Sequence, residues 1–545
     1  MHESKNDAPT SKVFYRPIEA SIRWAGLLRY EQVILASISS PRNLPQSLDC
    51  PRWGELRLYT DRIYDGILNG ELPFGQNGIT VRDIALIDCP DLTVRHIDLK
   101  RWMRQHYPEQ RPGFLFCRSE RIAHPFITLE TARQILEAAP RFTEGFLSAE
   151  DENPADFYQY ARHYLPPLAD LAIAAGHKTV MTKNKGLWWL TMPAHPEVRR
   201  ELMREDRREV LVSSTEDSNS RTPEINLMAR AGLRQAGLAP RMRAAIHQDL
   251  FSFNRFHQWE HPRSGHPYLR LLVAHTVLGA ADFEFRISDR SGAGEQTGFT
   301  LLGRESTEIF LHLLGKDLVL TPRPDQMAAL SPVGLAMHQP SARFLADAHN
   351  GHAPQNWVPD PELENGVLPY NGSLWGLTRT APQALTRVLF RKQRQFGYFV
   401  PPTPYGIIAM VPAGADLRQV AGVEEWWHTD GVWLWREGQP KLTGMAAAKA
   451  LEASAASAAR KLPFRASGDD VFFQAIRLGA GVYRLYAIDP GWLDPKARRI
   501  RITGRGTSWR LRDLLSGEAV PVRNGAAELE VPAGSLRILE AREPG

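Results

Sequence analysis

The run AADFEFRI from Ala280 to Ile287 constrains the fold of this chain more than any other segment. Three charged residues alternate with three apolar ones, so the two kinds lie on opposite faces of a strand: Asp282, Glu284 and Arg286 against Phe283, Phe285 and Ile287. Helical patterns flank the run on both sides, and those helices need an apolar surface to cover. We therefore expect the aromatic face to pack under helices. The charged face then points into an enclosed polar space, such as the lumen of a parallel barrel near its mouth.

Short apolar runs alternate with helical patterns up to Ile287, which is typical of βαβ units and a parallel sheet. The predicted strands are Ile84–Cys89, Gly113–Cys117, Glu144–Ala149, Lys178–Lys183, Glu209–Ser214, Met242–Leu250 and Ala281–Ile287. The predicted helices between them are Leu129–Ala138, Asp156–Ala175, His195–Glu205, Pro223–Ala236 and Tyr268–Val277. An eighth strand at Gly406–Val411, covered by the Ala-rich helix Gly444–Lys461, would close a barrel.

The predicted fold class is α/β: a (β/α)8 TIM barrel with a long insertion before the last strand, followed by a small antiparallel β-sandwich. The barrel is expected over residues 76–462 and the sandwich over residues 463–545, while residues 1–75 form an N-terminal extension, a barrel cap or an early part of the barrel. The sandwich is predicted because turns separate six strands without a helical pattern: Val471–Leu478, Tyr483–Asp489, Arg499–Thr503, Trp509–Asp513, Ala527–Val531 and Ser535–Glu540.

Composition excludes several classes of function. Apolar residues make up 43% of the chain and charged residues 23%, as in globular proteins, and no apolar stretch approaches the length of a membrane span. The net charge of +5 comes from basic residues mixed with acidic ones, without a basic tract, so we expect neither a nucleic-acid nor a membrane partner. The N-terminus lacks the apolar core of a secretion signal, which predicts a cytoplasmic protein, or an extracellular or periplasmic one if the N-terminus was trimmed.

The motifs of metal and cofactor chemistry are missing from the sequence. The three cysteines have no metal-binding spacing, and no HExxH, no early GxGxxG and no GxSxG occurs. We therefore predict no cofactor, no metal and no serine-type hydrolase.

Polar residues instead cluster where the predicted strands end, which is where TIM barrels place their active sites. The candidate substrate-binding residues at these ends are Lys183, Lys185, Trp188, Trp189, Asp217, Asn219, Arg221, His247, Asp249, Arg255, Asp282 and Arg286. Trp426 and Trp427, just beyond the eighth strand, are candidates for stacking on sugar rings, as are Trp433 and Trp435 unless they pack in a hairpin core.

A pair of carboxylates can act as acid and base on a glycosidic bond. Glu216 is the preferred general acid, because an apolar strand leads into it and partial burial is expected to raise its pKa. Glu284 is the preferred base and Glu150 the next candidate; the alternative role for Glu284 is a structural ion pair with Arg286 or with an arginine on a neighbouring strand. Glu216 and Glu284 lie two strands apart, and a carboxyl separation of about 6.5 to 9.5 Å would leave room for a water and predict inversion.

Several motifs resemble λ-carrageenase-like glycoside hydrolases over about residues 110 to 545. They are Glu216–Glu224, Thr403–Gly406, Leu462–Arg465, Tyr483–Pro495, Asp513–Gly517 and Val531–Gly534. The resemblance implies cleavage of a sulfated galactan with inversion, in which Lys183, Lys185, Arg221, Arg255 and Arg286 are sulfate partners.

The predicted function is a glycoside hydrolase that cleaves a poly- or oligosaccharide by carboxylate acid–base catalysis, with a sulfated or otherwise anionic galactan as the candidate substrate. Two alternatives remain open at this point. One is a non-catalytic glycan-binding barrel whose carboxylates only accept hydrogen bonds from hydroxyls. The other is a polysaccharide lyase acting on an acidic sugar, with His247, Lys183 and Arg286 as its base and charge-neutralising groups.

Overall fold

The computed structural model describes residues 113–118, 129–138, 143–151, 161–184, 188–216, 225–247, 267–286, 309–340, 400–431, 433–491 and 495–544. The predicted strand Ile84–Cys89 and the segment 1–75 lie outside the described residues. No helix within the described ranges is long and apolar enough to cross a membrane.

Six parallel strands form the first sheet, and they lie side by side in chain order. They are β1 (Gly113–Arg118), β2 (Thr143–Asp151), β3 (Thr179–Asn184), β4 (Leu211–Glu216), β5 (Arg241–His247) and β6 (Ala280–Arg286). All six were predicted, with boundaries within three residues of those observed.

Helices connect these strands, as the alternating pattern predicts. They are α1 (Leu129–Ala138), α2 (Leu165–Ala174), the short α3 (Trp188–Thr191), α4 (Pro196–Leu202), α5 (Ile225–Gln235), α6 (Pro267–Val277) and α7 (Ile309–Gly315). Proline in the first turn of α2 and of α4 suits a helix start, where the missing N–H costs no hydrogen bond.

A second sheet follows, with mixed strand directions, and the sequence predicted only part of it. It contains β7 (Val333–Met337), β8 (Met410–Pro412), β9 (Glu425–Thr429), β10 (Trp433–Trp435) and β11 (Leu442–Thr443), in the order β11-β10-β9-β7-β8. Strand β7 pairs in parallel with β8 and β9, while β10 is antiparallel to β9 and β11. The predicted Ala-rich helix is present as α8 (Gly444–Ala458).

The predicted eighth strand differs from expectation in its partner. Strand β8 pairs with β7, which the sequence analysis missed, and the two sheets share no strand pairing within the described ranges. Instead, β8 packs against α5, where a Cβ at Gly232 would collide with the backbone of Met410. The α/β class is therefore confirmed, with the second sheet held against a helix of the first.

Beyond α8 the chain is antiparallel. A three-stranded sheet, in the order β12-β15-β18, is formed by Phe464–Gly468, Arg498–Gly504 and Ala526–Val531. A five-stranded sheet, in the order β13-β14-β19-β16-β17, is formed by Phe472–Gly479, Val482–Ile488, Leu536–Arg542, Arg510–Asp513 and Ala519–Val520. Phe464 is central to the core, with the rings of Tyr483 and Trp509 edge-on to it at 5.1 Å each. The predicted sandwich strands are confirmed; β12 and β17 were missed.

An ionic cluster joins the five-stranded sheet to α6. The carboxylate of Asp489 is fully buried, pairs with Arg498 at 2.8 Å and lies 3.5 Å from Arg270 of α6. Burial lowers the pKa of Arg270 to about 10. Because each charge has an opposite partner, the junction can exclude water.

Candidate active site

Strands β2 to β6 end at a common edge, and the pairing register shows which residues meet there. Asp151 pairs with Asn184, Asn184 with Thr215, Glu216 with Ala245, and His247 with Arg286. Four strand ends that were predicted to carry polar residues thus lie side by side. Active sites of parallel α/β proteins form at this carboxyl edge.

The two faces of the sheet are distinguished by Arg230 of α5. Its guanidinium donates to the hydroxyl of Thr215 and to the carbonyl oxygen of Ser213, so α5 covers the face that carries Thr215. Thr215 is in register with Ala244, and Ala244 with Phe283. The aromatic positions of β6 therefore lie on the helix-covered face, as predicted from the alternation at residues 280–287.

The opposite face, here called the inner face, carries the charged positions in successive rows. One row across β4, β5 and β6 contains Glu216, Ala245 and Glu284. The preferred acid and base thus lie in one row with a single strand between them. The row beneath runs across β2 to β6 and consists of Ala149, Lys183, Ser214, Arg243 and Asp282.

Arg243 is a functional candidate that the sequence analysis missed. Its side chain is fully buried and contacts the sulfur of Met181, which also lies on the inner face. In the sequence RMRAAIH, Arg241, Arg243, Ala245 and His247 alternate and so share one face of a strand. This pattern indicates Arg243 as well as His247, but the sequence analysis named only His247. Arg243 thus adds a buried positive charge to the face that carries Glu216 and Glu284.

Two predicted sugar-stacking residues are instead core residues. Trp188 and Trp189 are 1% and 2% exposed. The indole N–H of Trp189 donates to the carbonyl oxygen of Ser214 at 2.8 Å, and its backbone N–H donates to Asn226 of α5 at 3.2 Å. The prediction that these rings bind substrate is wrong, because α3 turns back against α5 rather than opening to solvent.

The tandem tryptophans of β9 are also partly misassigned. Trp427 is 5% exposed, and its indole N–H donates to Glu425 at 2.9 Å, so its predicted sugar contact is wrong. Trp426 is half-buried and covers Gly334 of β7. The exposed indole of this sheet belongs to Trp433.

The remaining predicted site residues are placed as follows. The structure describes the backbone at Glu150, Lys183, Glu216, His247, Asp282, Glu284 and Arg286. Glu150 lies at a register shift between Ala149 and Asp151, at the end of β2. Lys185, Asp217, Asn219, Arg221, Asp249 and Arg255 lie outside the described residues. Within the described ranges, no three His, Cys, Asp or Glu residues are grouped to hold a metal ion.

Comparison with known proteins assigns the chain to a family. The family described as "Lambda-carrageenase middle domain" matches residues 111–418, more than half of the chain. The chain belongs to the lambda-carrageenase middle-domain family. The matched range contains the whole six-stranded sheet together with β7 and β8.

Two curated relatives are lambda-carrageenases, one from Pseudoalteromonas sp. and one from Pseudoalteromonas carrageenovora. Each is 22% identical to this chain over 442 residues, which cover 76% of the chain and 45% of the relative. The chain thus spans less than half the length of these relatives.

Solved structures resemble the chain weakly. The catalytic module of a family 98 glycoside hydrolase from Streptococcus pneumoniae TIGR4 matches with a TM-score of 0.47 and 10% identity, covering 78% of this chain and 66% of that one. Alpha-galactosidase I from Mortierella vinacea matches with a TM-score of 0.31 and 8% identity, covering 79% of this chain and 76% of that one. Similarity at this level carries no argument here.

Proposed function

We propose that this chain is a glycoside hydrolase that cleaves a sulfated galactan by acid–base catalysis between two carboxylates. The observation that carries the proposal is the row formed by Glu216, Ala245 and Glu284 at the carboxyl edge of the parallel sheet. The relatives named lambda-carrageenase support the choice of a sulfated galactan.

The spacing of the row supports a single displacement. Adjacent strands lie about 4.8 Å apart, so the Cα atoms of Glu216 and Glu284 are about 10 Å apart. Inverting glycosidases need about 6.5 to 9.5 Å between carboxyl groups, which leaves room for a water. Glu216 donates a proton to the glycosidic oxygen, and Glu284 accepts a proton from the water that attacks the anomeric carbon. The product then has inverted configuration.

Glu150 is the alternative partner for Glu216. It lies at the register shift that ends β2. Such irregularities reorient side chains beside active sites. Arg243 lies one row beneath the two preferred carboxylates, and its charge stabilises the ionised base before the water is deprotonated.

Replacing Glu216 or Glu284 with Gln tests the proposal. The change keeps the shape of the side chain and removes its proton chemistry, so each variant should release reducing ends from lambda-carrageenan about 10²- to 10⁴-fold more slowly than the wild type. Glu209→Gln is the matched control, because Glu209 is exposed before β4, and it should retain full activity. Proton NMR of the first product gives the anomeric configuration.

Three results would overturn the proposal. Full turnover in both variants would remove these residues from the mechanism. Products that absorb in the ultraviolet would indicate a lyase. Binding of the polysaccharide by the wild type without any cleavage would indicate a glycan-binding barrel.

A further inference from the structure

The second sheet presents an aromatic surface that the proposed chemistry does not use. Side chains alternate along β9 and β10, so Trp427, Thr429 and Leu434 share the buried face of these strands. The other face carries His428 and Trp435, which are register partners and half-buried. Trp433 lies on that same face, two residues before Trp435. Its exposure of 41% makes it the one exposed tryptophan among those whose side chains the structure describes.

Two histidines and Trp435 form a compact cluster on this face. His338 follows β7 directly, and its Nε2 lies 3.0 Å from Nδ1 of His428. The ring of Trp435 lies 4.9 Å from that of His338 and is stacked 6.0 Å from that of His428. One histidine must donate to the other, which fixes both rings in orientation and leaves their remaining ring nitrogens for other partners.

Lys441 adds a positive charge to this cluster. Its ammonium lies 4.3 Å from the centroid of the Trp435 ring, and among the described residues no carboxylate is within ion-pair distance of it. Arg436, by contrast, pairs with Glu425 at 3.1 Å. Burial lowers the pKa of both His338 and His428, although Asp430 opposes the shift at His338 and Glu437 opposes it at His428, and the lowered pKa favours the neutral form of each ring. Lys441 therefore supplies the charge available to a ligand.

An exposed indole on the same face as a cation and two oriented imidazoles suits one class of ligand. A sugar ring is flat and partly apolar, which allows it to stack on an indole, and its hydroxyls bond to imidazole nitrogens. A sulfate group complements the ammonium of Lys441, which has no carboxylate partner among the described residues. A purely apolar partner would leave the imidazoles and Lys441 unsatisfied and would pay for their desolvation.

We propose that His338, His428, Trp433, Trp435 and Lys441, here called the aromatic platform, bind a sulfated sugar ring. The ring stacks on Trp433, and its sulfate lies at Lys441. The identity of the ligand as a sulfated galactan rests on the proposed function, whereas the site itself lies on a different sheet from Glu216 and Glu284.

Titration of the full chain tests the platform. The Glu216→Gln, Glu284→Gln double variant serves as the background, so that the ligand stays intact during the measurement. The probes are oligosaccharides of lambda-carrageenan and the same oligosaccharides after chemical desulfation, and calorimetry gives both affinities. Trp433→Ala should weaken binding of both probes about three- to tenfold, as the loss of one aromatic contact implies. Lys441→Met should weaken binding of the sulfated probe alone by about two- to fivefold, and more at low salt.

Matched controls separate the platform from general effects. Lys449→Met removes an exposed charge from α8, and Leu515→Ala removes a side chain that is 47% exposed in the β-sandwich; neither should change either affinity. Trp433 and Lys441 are exposed, so their variants should keep the thermal midpoint of the background.

The outcomes distinguish this proposal from the proposed function. Unchanged affinities in both Trp433→Ala and Lys441→Met would overturn the platform even if Glu216→Gln abolishes turnover. If the Glu216 and Glu284 variants still cleave the probes, the proposed function fails; the titration is then made with oligosaccharides too short to be cleaved, and a loss of affinity for these would still support the platform. Equal losses for the two probes in Lys441→Met would overturn the role of sulfate, and no binding of either probe would overturn the whole proposal.

Discussion

Arg270 and Arg243 are both fully buried, but one lies at the junction with the β-sandwich and the other on the inner face of the parallel sheet. At the junction, Asp489 accepts hydrogen bonds from Arg498 and from the backbone of Gly491, Lys496 and Gly534. On the inner face, the neighbours of Arg243 in register are Ser214 and Asp282, and a row containing Glu216 and Glu284 follows. At the junction, two guanidinium groups surround one carboxylate. On the inner face, residues of both charges lie near one edge of the sheet. The first arrangement contributes to the stability of the fold, and the second lies at the edge of the sheet where we propose that the substrate binds.

The largest expected effect is a loss of stability when Asp489 at the junction is substituted. Asp489→Asn leaves Arg270 and Arg498 without their carboxylate, and should lower the free energy of unfolding by about 3 to 5 kcal/mol. Urea denaturation measures the loss. Asp325→Asn is the control, because Asp325 and its partner Arg323 are both exposed, and it should cost less than about 1 kcal/mol. Equal stability of the two variants would show that the junction does not depend on this cluster.

Arg243 should show the reverse pattern, with its main effect on catalysis. Arg243→Met removes the cation beneath the two carboxylates, so kcat/KM should fall about 100-fold. A carboxylate that loses a nearby cation ionises at higher pH, so the acid limb of the pH profile should move upward. Arg243→Lys keeps the charge and should restore part of both effects. An unshifted profile in Arg243→Met would assign this arginine to packing alone.

The smallest expected effect concerns His275 of α6. Burial, aided by Arg230, lowers the pKa of His275 well below 6.5, so the native state holds it neutral. The unfolded chain binds a proton on this residue below pH 6.5, so its contribution to stability is complete above that pH and is lost as the pH falls. His275→Gln should flatten the dependence of stability on pH by up to about 1.4 kcal/mol per pH unit. Thermal unfolding between pH 7 and pH 5 measures both slopes, and identical slopes would contradict the expectation.

The sequence predicted the six-stranded sheet because each strand and the next helix differ in hydrophobic period. It predicted the row of Glu216 and Glu284 because a period of two and a parallel register together determine which positions share a face. Strand β7 was missed, since VGLAM has no alternation and its partner strand β9 lies about 90 residues farther along the chain.

Side-chain burial near strand ends was harder to predict. The sequence places Trp188 a few residues after β3, but it does not show whether α3 packs against the core or faces solvent. The contact between α3 and α5 determines that Trp188 is buried. The pairing of His338 with His428 likewise depends on strands that meet only after folding. Local pattern thus predicted the elements and the faces, while contacts distant in sequence determined which aromatic rings remain exposed.

The close approach at Gly232 connects the first sheet to the second. Helix α5 follows the strand that ends at Glu216, and Gly232 of this helix receives the backbone of β8, whose neighbour β7 leads into His338. The strand that ends at Glu216 and the strand that leads into His338 are therefore both attached to one helix. If the proposed carboxylate row and the aromatic platform hold one saccharide chain, this glycine contact would limit how few sugar units can reach from one to the other.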